Sequence, residues 1–426
     1  NIQILGVANM KSKAITPNAL DPEFGTDGKF EFGKEIIIKP NSFGATTQLL
    51  QGGYLCGGTA YGGKNELNIA NWLVKLSQHG TIDTTFGDGG LLYFQPAVLD
   101  GSRQMSIMGL CQTAEHILIL GLSSSPQGQW FQEVAMLRSS LTGELDVSFG
   151  NGGVKRITLP TFKNSPAASA DGTNRNNENH ENTGNFICEG GTITIIGREA
   201  IVRLTHEGEL DTSFNGTGVL PLDDYDLSEG FIATQPKDAT LLVAKENRIA
   251  RYTTAGSLDT TFGVEGSYTA PKNLRPIVAV IAAPEGAIYY IAIELINDTQ
   301  HHYLGKLGID GTFDNDFNRG QHVRLPFYQN DSLAWFGYLA LGDLNNVYVA
   351  MSARDSILIE VSLVSRYQSN GELDETFGNL GTFVTPLALK SIRTNGLATG
   401  KIVVFGNKVR DQVTDPLSAE AHGISE

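Results

Sequence analysis

The chain has 426 residues, with 49 glycines, 8 % aromatic residues and a formal net charge of −15. That acidic balance excludes nucleic acid and anionic membrane surfaces as natural partners, and it leaves cations, neutral glycans and basic protein patches. No apolar run approaches the roughly 20 residues of a membrane-spanning helix, so no membrane insertion is expected.

In chain order, the first apolar run is IQILGVAN at 2–9, and it leads into the corner ALDPEFGTDGK at 19–29. Six more copies of that corner follow: GTIDTTFGDGG (80–90), GELDVSFGNGG (143–153), GELDTSFNGTG (208–218), GSLDTTFGVEG (256–266), GTFDNDFNRGQ (311–321) and GELDETFGNLG (371–381). Their aspartates are Asp21, Asp83, Asp146, Asp211, Asp259, Asp314 and Asp374, spaced by 62, 63, 65, 48, 55 and 60 residues. The aromatic three positions on is Phe24, Phe86, Phe149, Phe214, Phe262, Phe317 or Phe377. A self-similar period of this size marks a repeat architecture rather than a string of unrelated domains.

Each corner has a local physical reading. The Asp carboxylate accepts a backbone N–H two or three residues on, as an N-cap does, and Pro22 sits where a first helical turn tolerates a missing donor. Apolar flanks such as Leu145 and Phe149 close over the turn. Gly or Asn after the Phe supplies a left-handed residue to leave it. The corner aspartates and phenylalanines are therefore expected to be structural.

Between corners lie four apolar runs. In the second repeat they are LLYFQPA (91–97), QMSIMGLCQT (104–113), HILILGLSS (116–124) and QEVAMLRSSL (132–141). Four-stranded antiparallel units repeated seven times predict an all-β, seven-bladed β-propeller, a closure that leaves only short protected edges. Counting from each corner gives blades at about 29–79, 90–142, 153–207, 218–255, 266–310, 320–370 and 381–407. The run following each corner is taken as the inner strand. The last repeat offers only three strands, so the N-terminal strand is expected to complete the C-terminal blade. Ile2–Asn9 would then lie beside Lys401–Asn407, with 408–426 as a polar tail. All of 1–426 then forms one domain, and a start at Asn1 rather than Met fits removal of an upstream segment. Three cysteines make neither a disulfide framework nor a metal quartet. Cys56, Cys111 and Cys188 all lie in or beside apolar runs and read as buried thiols.

The pattern G-x-L-D-x-x-F-G-x-x-G, followed by strands such as KIVVFGN, resembles the delta-60 repeat family of bacterial, mostly secreted or surface-associated proteins. Asn215 and Asn318 in place of the post-Phe Gly, and Asn18 and Ala19 ahead of Leu20 where a Gly leads the other copies, are departures. The resemblance implies a secreted or cell-surface bacterial setting and a binding or scaffolding role.

Chemistry is sparse. One carboxylate per repeat is too dispersed for an acid–base pair, and calcium needs six to eight oxygens from one place. The eight histidines form no HxH or HExxH spacing, and no nucleophile elbow, phosphate loop or dinucleotide fingerprint occurs. One insertion breaks the template: PTFKNSPAASADGTNRNNENHENTG at 160–184, with the acidic link DDYDLSE at 223–229 expected on the same face. Links between the first and second and between the third and fourth runs vary most, so that face is the expected ligand face. Asp224, Tyr225, Asp226, Asn176, Asn177 and Trp130 are the candidate ligand contacts, and Asp223, Asp224 and Asp226 the candidate metal ligands, with calcium as the ion. No organic cofactor is expected. The function expected is a non-enzymatic extracellular binding propeller for a glycan or a protein. The alternatives are a structural or toxin-associated component of a larger assembly, and a polysaccharide lyase or hydrolase.

Overall fold

The computed structural model describes residues 20–32, 40–61, 69–95, 105–123, 133–158, 186–189, 191–196, 200–222, 231–297, 299–326, 337–342, 346–354, 360–394, 401–408 and 419–424. The fold is a seven-bladed β-propeller whose blades are four-stranded antiparallel sheets. Two compact groups of residues carry them.

One short strand, β1 (Lys29–Glu31), follows the first corner. The group comprising 38–77 and 82–230 holds three sheets. They are β2 (Pro40–Gln48), β3 (Tyr54–Tyr61), β4 (Ile69–Leu76) and β5 (Leu91–Phe94); β6 (Met105–Gln112), β7 (His116–Ser123), β8 (Glu133–Ser140) and β9 (Val154–Thr158); and β10 (Phe186–Glu189), β11 (Thr192–Ile196), β12 (Ala200–Thr205) and β13 (Val219–Pro221), each in that order across the sheet.

The other group, 1–37, 78–81 and 231–426, holds four sheets. Three run in sequence order: β14 (Phe231–Gln235), β15 (Thr240–Lys245), β16 (Arg248–Tyr252) and β17 (Ser267–Thr269); β18 (Ile277–Ala282), β19 (Ile288–Ile296), β20 (Thr299–Leu307) and β21 (Val323–Arg324); β22 (Gly337–Leu341), β23 (Val347–Arg354), β24 (Glu360–Tyr367) and β25 (Thr382–Thr385). The fourth joins β26 (Leu387–Thr394), β27 (Ile402–Lys408) and β28 (Ala419–Ile424) to β1 at its far edge.

Strand composition follows position. The second strand of a blade is covered on both faces by neighbouring blades and reads as an unbroken apolar run, as in HILILGLS of β7. Burying each such Leu or Ile contributes about 1.5–3 kcal/mol. Outermost strands are short and alternate, as in LLYF of β5, where only Leu92 and Phe94 are buried. Innermost strands of successive blades approach closely. A Cβ on Gly109 of β6 would fall 2.7 Å from the Phe186 ring of β10, so only glycine fits there.

The sheets correct the strand phase read from the sequence. The corner is the hairpin between the third and fourth strands of one sheet: Leu76 bridges to Ile82, the Asp83 N–H donates to the Lys75 carbonyl, and Val74 then faces Leu91 across the ladder. The run after each corner is thus the outermost strand of the blade just built, not the inner strand of the next. Each blade begins one strand later than the repeat count places it.

Closure by an N-terminal strand holds, through a different segment. β27 is flanked on one side by β26 and on the other by β28, so no edge remains beside Lys401–Asn407 for Ile2–Asn9. Ile2–Asn9 itself lies outside the described residues. The N-terminal contribution is β1, with Lys29, Phe30 and Glu31 opposite His422, Ala421 and Glu420. The stretch read as a polar tail supplies the third strand, β28. Its AEAHGI carries a buried Glu420–His422 pair, 2.8 Å apart, which breaks the apolar alternation by which strands are recognised.

Cys111 on β6 and Cys188 on β10 form a disulfide, Cα atoms 5.8 Å apart and 77 residues apart in sequence, so two of the three cysteines expected as thiols are paired. Inner strands of adjacent blades lie side by side, and that adjacency brings the two together. Cys56 is a buried thiol.

Candidate functional site

The repeated aspartates form a set of seven equivalent carboxylates, one at each corner. In every copy Oδ1 accepts the backbone N–H two residues on: from Glu23 and Thr85 at 3.1 Å, from Ser148, Ser213, Thr261 and Asp316 at 3.0 Å, and from Thr376 at 3.1 Å. Where that residue is Ser or Thr, its hydroxyl donates to the same oxygen at 2.5–2.7 Å. The other oxygen meets a cation from the third strand, eight residues upstream. The pairs are Lys75–Asp83 (2.9 Å), Arg138–Asp146 (2.7 Å), Arg203–Asp211 (2.7 Å), Arg251–Asp259 (2.8 Å), Lys306–Asp314 (2.9 Å) and Arg366–Asp374 (2.8 Å).

Four of the guanidiniums also lie over the corner aromatic. Arg138, Arg203, Arg251 and Arg366 sit 4.6–5.2 Å from the ring centres of Phe149, Phe214, Phe262 and Phe377. The rings fill the space at the following corner. A Cβ on Gly80 would meet Phe24 at 2.7 Å, and one on Gly311 would meet Phe262 at 2.7 Å. The left-handed residue after the Phe then donates to the next corner, Gly25 to the His79 carbonyl and Gly263 to the Asp310 carbonyl, each at 2.7 Å.

The closing blade reproduces this arrangement across the chain ends. The Asp21 N–H donates to the Gly423 carbonyl at 2.9 Å, as Asp83 does to Lys75, so Gly423 occupies the place of the cation. A side chain there would put its Cβ 2.4 Å from Phe24 Cβ. The ammonium comes instead from Lys401, which lies 3.0 Å from Asp21 and 2.8 Å from Glu23.

These carboxylates are consumed. The Ser148 hydroxyl, then Arg138, holds Asp146 down to about 2. Asp83, Asp211 and Asp259 are lowered by the hydroxyls of Thr85, Ser213 and Thr261 and then by their cations. All stay ionised through the neutral range and have their hydrogen bonds filled, which leaves them a frame. The sequence carried the signal for the cation as Lys or Arg eight residues before each of these six aspartates, in VKLSQHGTID, MLRSSLTGELD and the rest.

A different polar group stands at the opposite end of the fifth blade, on the end that carries the links between third and second strands. β19 and β20 are nine residues each, against six and five for β15 and β16 of the preceding blade, and their extra length projects Glu294 opposite His301. Two residues on, Tyr303 faces Arg324 of the edge strand β21. Period-two alternation sets Glu294, His301, Tyr303 and Arg324 on one face, and puts Ile293, His302 and Leu304 in the core behind them. The link 271–276 runs alongside: the Ile293 and Arg275 N–H groups donate to the Pro276 and Ile293 carbonyls, and Asn273 Nδ2 donates to Glu294 Oε1 at 2.6 Å. Arg324 Nη2 donates to His301 Nδ1 at 2.8 Å, which places the proton of a neutral imidazole on Nε2.

Asn273, then the Tyr303 hydroxyl, lowers Glu294. Burial and the Arg324 charge lower His301, so the ring is neutral at pH 7. Burial and the Glu294 carboxylate raise Tyr303. The result is a half-open shelf with a fixed carboxylate, a neutral imidazole and an exposed guanidinium. Sequence reasoning passed over it because its five residues come from four segments, the link 271–276 and the strands β19, β20 and β21.

The residues expected to contact ligand, Asp224, Tyr225, Asp226, Asn176, Asn177 and Trp130, lie outside the described residues, as does Asp223. Among the described residues no group of three or more His, Cys, Asp or Glu side chains is arranged to hold a metal ion. No helix there is long and apolar enough to cross a membrane.

Comparison with known proteins agrees with this architecture. Residues 245–262 match a family model. Its description is a domain of unknown function (DUF5122) beta-propeller. The matched stretch runs from the end of β15 through β16 into the fifth corner, and so covers Arg251, Asp259 and Phe262. No curated protein matches. Among solved structures, Drosophila Semaphorin 2a is similar over 91 % of this chain and 74 % of its own, at 8 % identity and a TM-score of 0.44. A PQQ-bound aldose sugar dehydrogenase from Streptomyces coelicolor is similar over 74 % and 96 %, at 12 % identity and 0.36. A structure titled as the eukaryotic initiation factor covers 82 % and 78 %, at 9 % and 0.33. Likeness at this level bears on no activity.

Proposed function

We propose that the protein is a non-enzymatic binding propeller of the delta-60 repeat type, acting outside a bacterial cell and engaging a glycan or a protein through its variable-link face. The observation that supports this most is the division of labour among polar groups. The corner aspartates are each closed by a hydroxyl or amide and a cation, whereas the polar group around Glu294 is left open and stands on the variable-link end of its blade. The disulfide between Cys111 and Cys188 fits an oxidising compartment. On the same face of the template, 160–184 and 223–229 are proposed as further contacts, through Asn176, Asn177, Asp224, Tyr225 and Asp226, with Trp130 in the link between β7 and β8 and calcium on Asp223, Asp224 and Asp226.

A polysaccharide lyase or hydrolase would draw on a His, Tyr, Arg and carboxylate set such as the one around Glu294. Two features argue against it. Tyr303 is raised by burial and by Glu294, the opposite of what a Brønsted base requires. The shelf has a single carboxylate where glycoside hydrolysis uses two. The structural or toxin-associated role has no observation favouring it.

The test is a melting-temperature screen against calcium and a panel of neutral mono- and oligosaccharides. It is run on the full chain and on a variant with 163–183 replaced by a short Gly-Ser link. A ligand that binds the folded state raises the midpoint by mass action. A shift present in the full chain and lost in the variant supports the insertion face. Equal shifts in both place the ligand elsewhere, and turnover of any saccharide in the panel overturns the non-enzymatic assignment.

A further inference from the structure

We propose that Glu294 and Arg324, held apart by His301, form a subsite for a vicinal pair of hydroxyls on a neutral sugar. This rests on the binding role above and names its ligand class.

A vicinal diol presents donors and acceptors side by side, so the surface that recognises it must offer a fixed acceptor next to a fixed donor. Glu294 is the acceptor: it takes a hydrogen bond from Asn273 at 2.6 Å, and a carboxylate has about four acceptor positions. Arg324 is the donor: one N–H goes to His301 Nδ1, and a guanidinium carries five in a planar fork. Both are immobilised before any ligand arrives, because Asn273 fixes the carboxylate and His301 fixes the fork. Little conformational entropy is then lost on binding.

Ile296 lies one pleat beyond Glu294 on the same face and is 39 % exposed, an apolar surface for the C–H face of a pyranose. The same geometry selects against acidic sugars, since the ionised Glu294 and a chain of net charge −15 both repel a uronate. In three other blades the position equivalent to His301, counted back from the corner Asp, is held by Ala70, Glu133 or Val361, and none supplies an imidazole.

Saturation-transfer NMR on the full chain tests the assignment. The probes are methyl glycosides of mannose, galactose and glucose, with glucuronate as the charged control. At least one neutral glycoside is expected to show transfer and glucuronate none. Glu294→Ala and Arg324→Met should each weaken that binding about tenfold, while Asp83→Asn, at a corner, leaves it unchanged. Circular dichroism melts of the two variants check that the fold persists; Glu294→Gln, which keeps one acceptor oxygen, should fall between wild type and Glu294→Ala. A neutral glycoside that binds wild type and both variants alike refutes the subsite while leaving the glycan-binding role intact. Silence of all three neutral glycosides, or stronger binding of glucuronate, overturns the subsite outright. A protein partner would then be sought for the wider role.

Discussion

The ion pairs at the corners predict stability effects that differ sharply between copies of one motif. Arg251 is a well-enclosed case. Its side chain is 9 % exposed; Nε donates to Asp259 at 2.8 Å, and Nη1 to Gln235 Oε1 at 3.0 Å and to the Ile309 carbonyl at 2.7 Å. Gln235 is itself buried, and its amide donates to the Gly286 carbonyl at 3.2 Å. Arg251→Met keeps much of the aliphatic stem over Phe262 but removes every donor. It strands a carboxylate with 18 % side-chain exposure, a buried amide oxygen and a carbonyl. Removing one partner of a buried pair costs about 3–5 kcal/mol, largely because the other charge is left uncompensated.

Lys75 occupies the equivalent position in the second corner, yet its pair with Asp83 is 27 % and 28 % exposed. Water screens that pair, so Lys75→Met should cost about 0.2–1 kcal/mol. Urea denaturation followed by circular dichroism measures both. Arg251→Met combined with Asp259→Asn should recover part of the loss, since the stranded charge is gone. Equal costs for the two single variants, or no recovery in the double, would refute the reasoning that burial decides the strength of these corners.

Other outcomes follow from the same geometry. Phe24→Ala, which empties the plug between Gly80 and Gly423, should cost about 3–5 kcal/mol in equilibrium unfolding, and an effect below about 1 kcal/mol would contradict the closure through the first corner. Six corner carboxylates, Asp83, Asp146, Asp211, Asp259, Asp314 and Asp374, have folded pKa values below their unfolded ones, so each contributes stability that is fully present above the unfolded value near 4 and is lost as pH falls toward about 2, where Asp146 titrates. An acid midpoint in that window, moved upward by Asp146→Asn, is expected from pH-dependent unfolding. Unfolded without reductant, the chain should show one titratable thiol by thiol assay, from Cys56, and three after reduction. Replacing both Cys111 and Cys188 with Ser should cost about 2–5 kcal/mol.

What the sequence determined by itself was local. A capping Asp, a Phe three residues on and a left-handed Gly or Asn next to it interact within a single turn, so seven recurrences of that spacing already specified seven corners, four strands to a blade and the propeller. The end of the blades that carries the variable links was legible for the same reason, because it depends only on the order of strands and turns.

What the tertiary structure decided was which edges meet. The corner turns the chain back onto the strand it has just left, as Val74 opposite Leu91 shows, and only that pairing reveals that the following run is the outermost strand. Asp21 finds its cation 380 residues away, and Cys111 its partner across 77 residues, through adjacency that no local window contains. β28 looked like tail because a buried Glu–His pair stands where apolar residues mark other strands, and its pairing with β27 and β1 outweighs that weak signal. The shelf at Glu294 needed four separate segments to converge, and residues so far apart in sequence acquire a common chemistry only once the blades are packed.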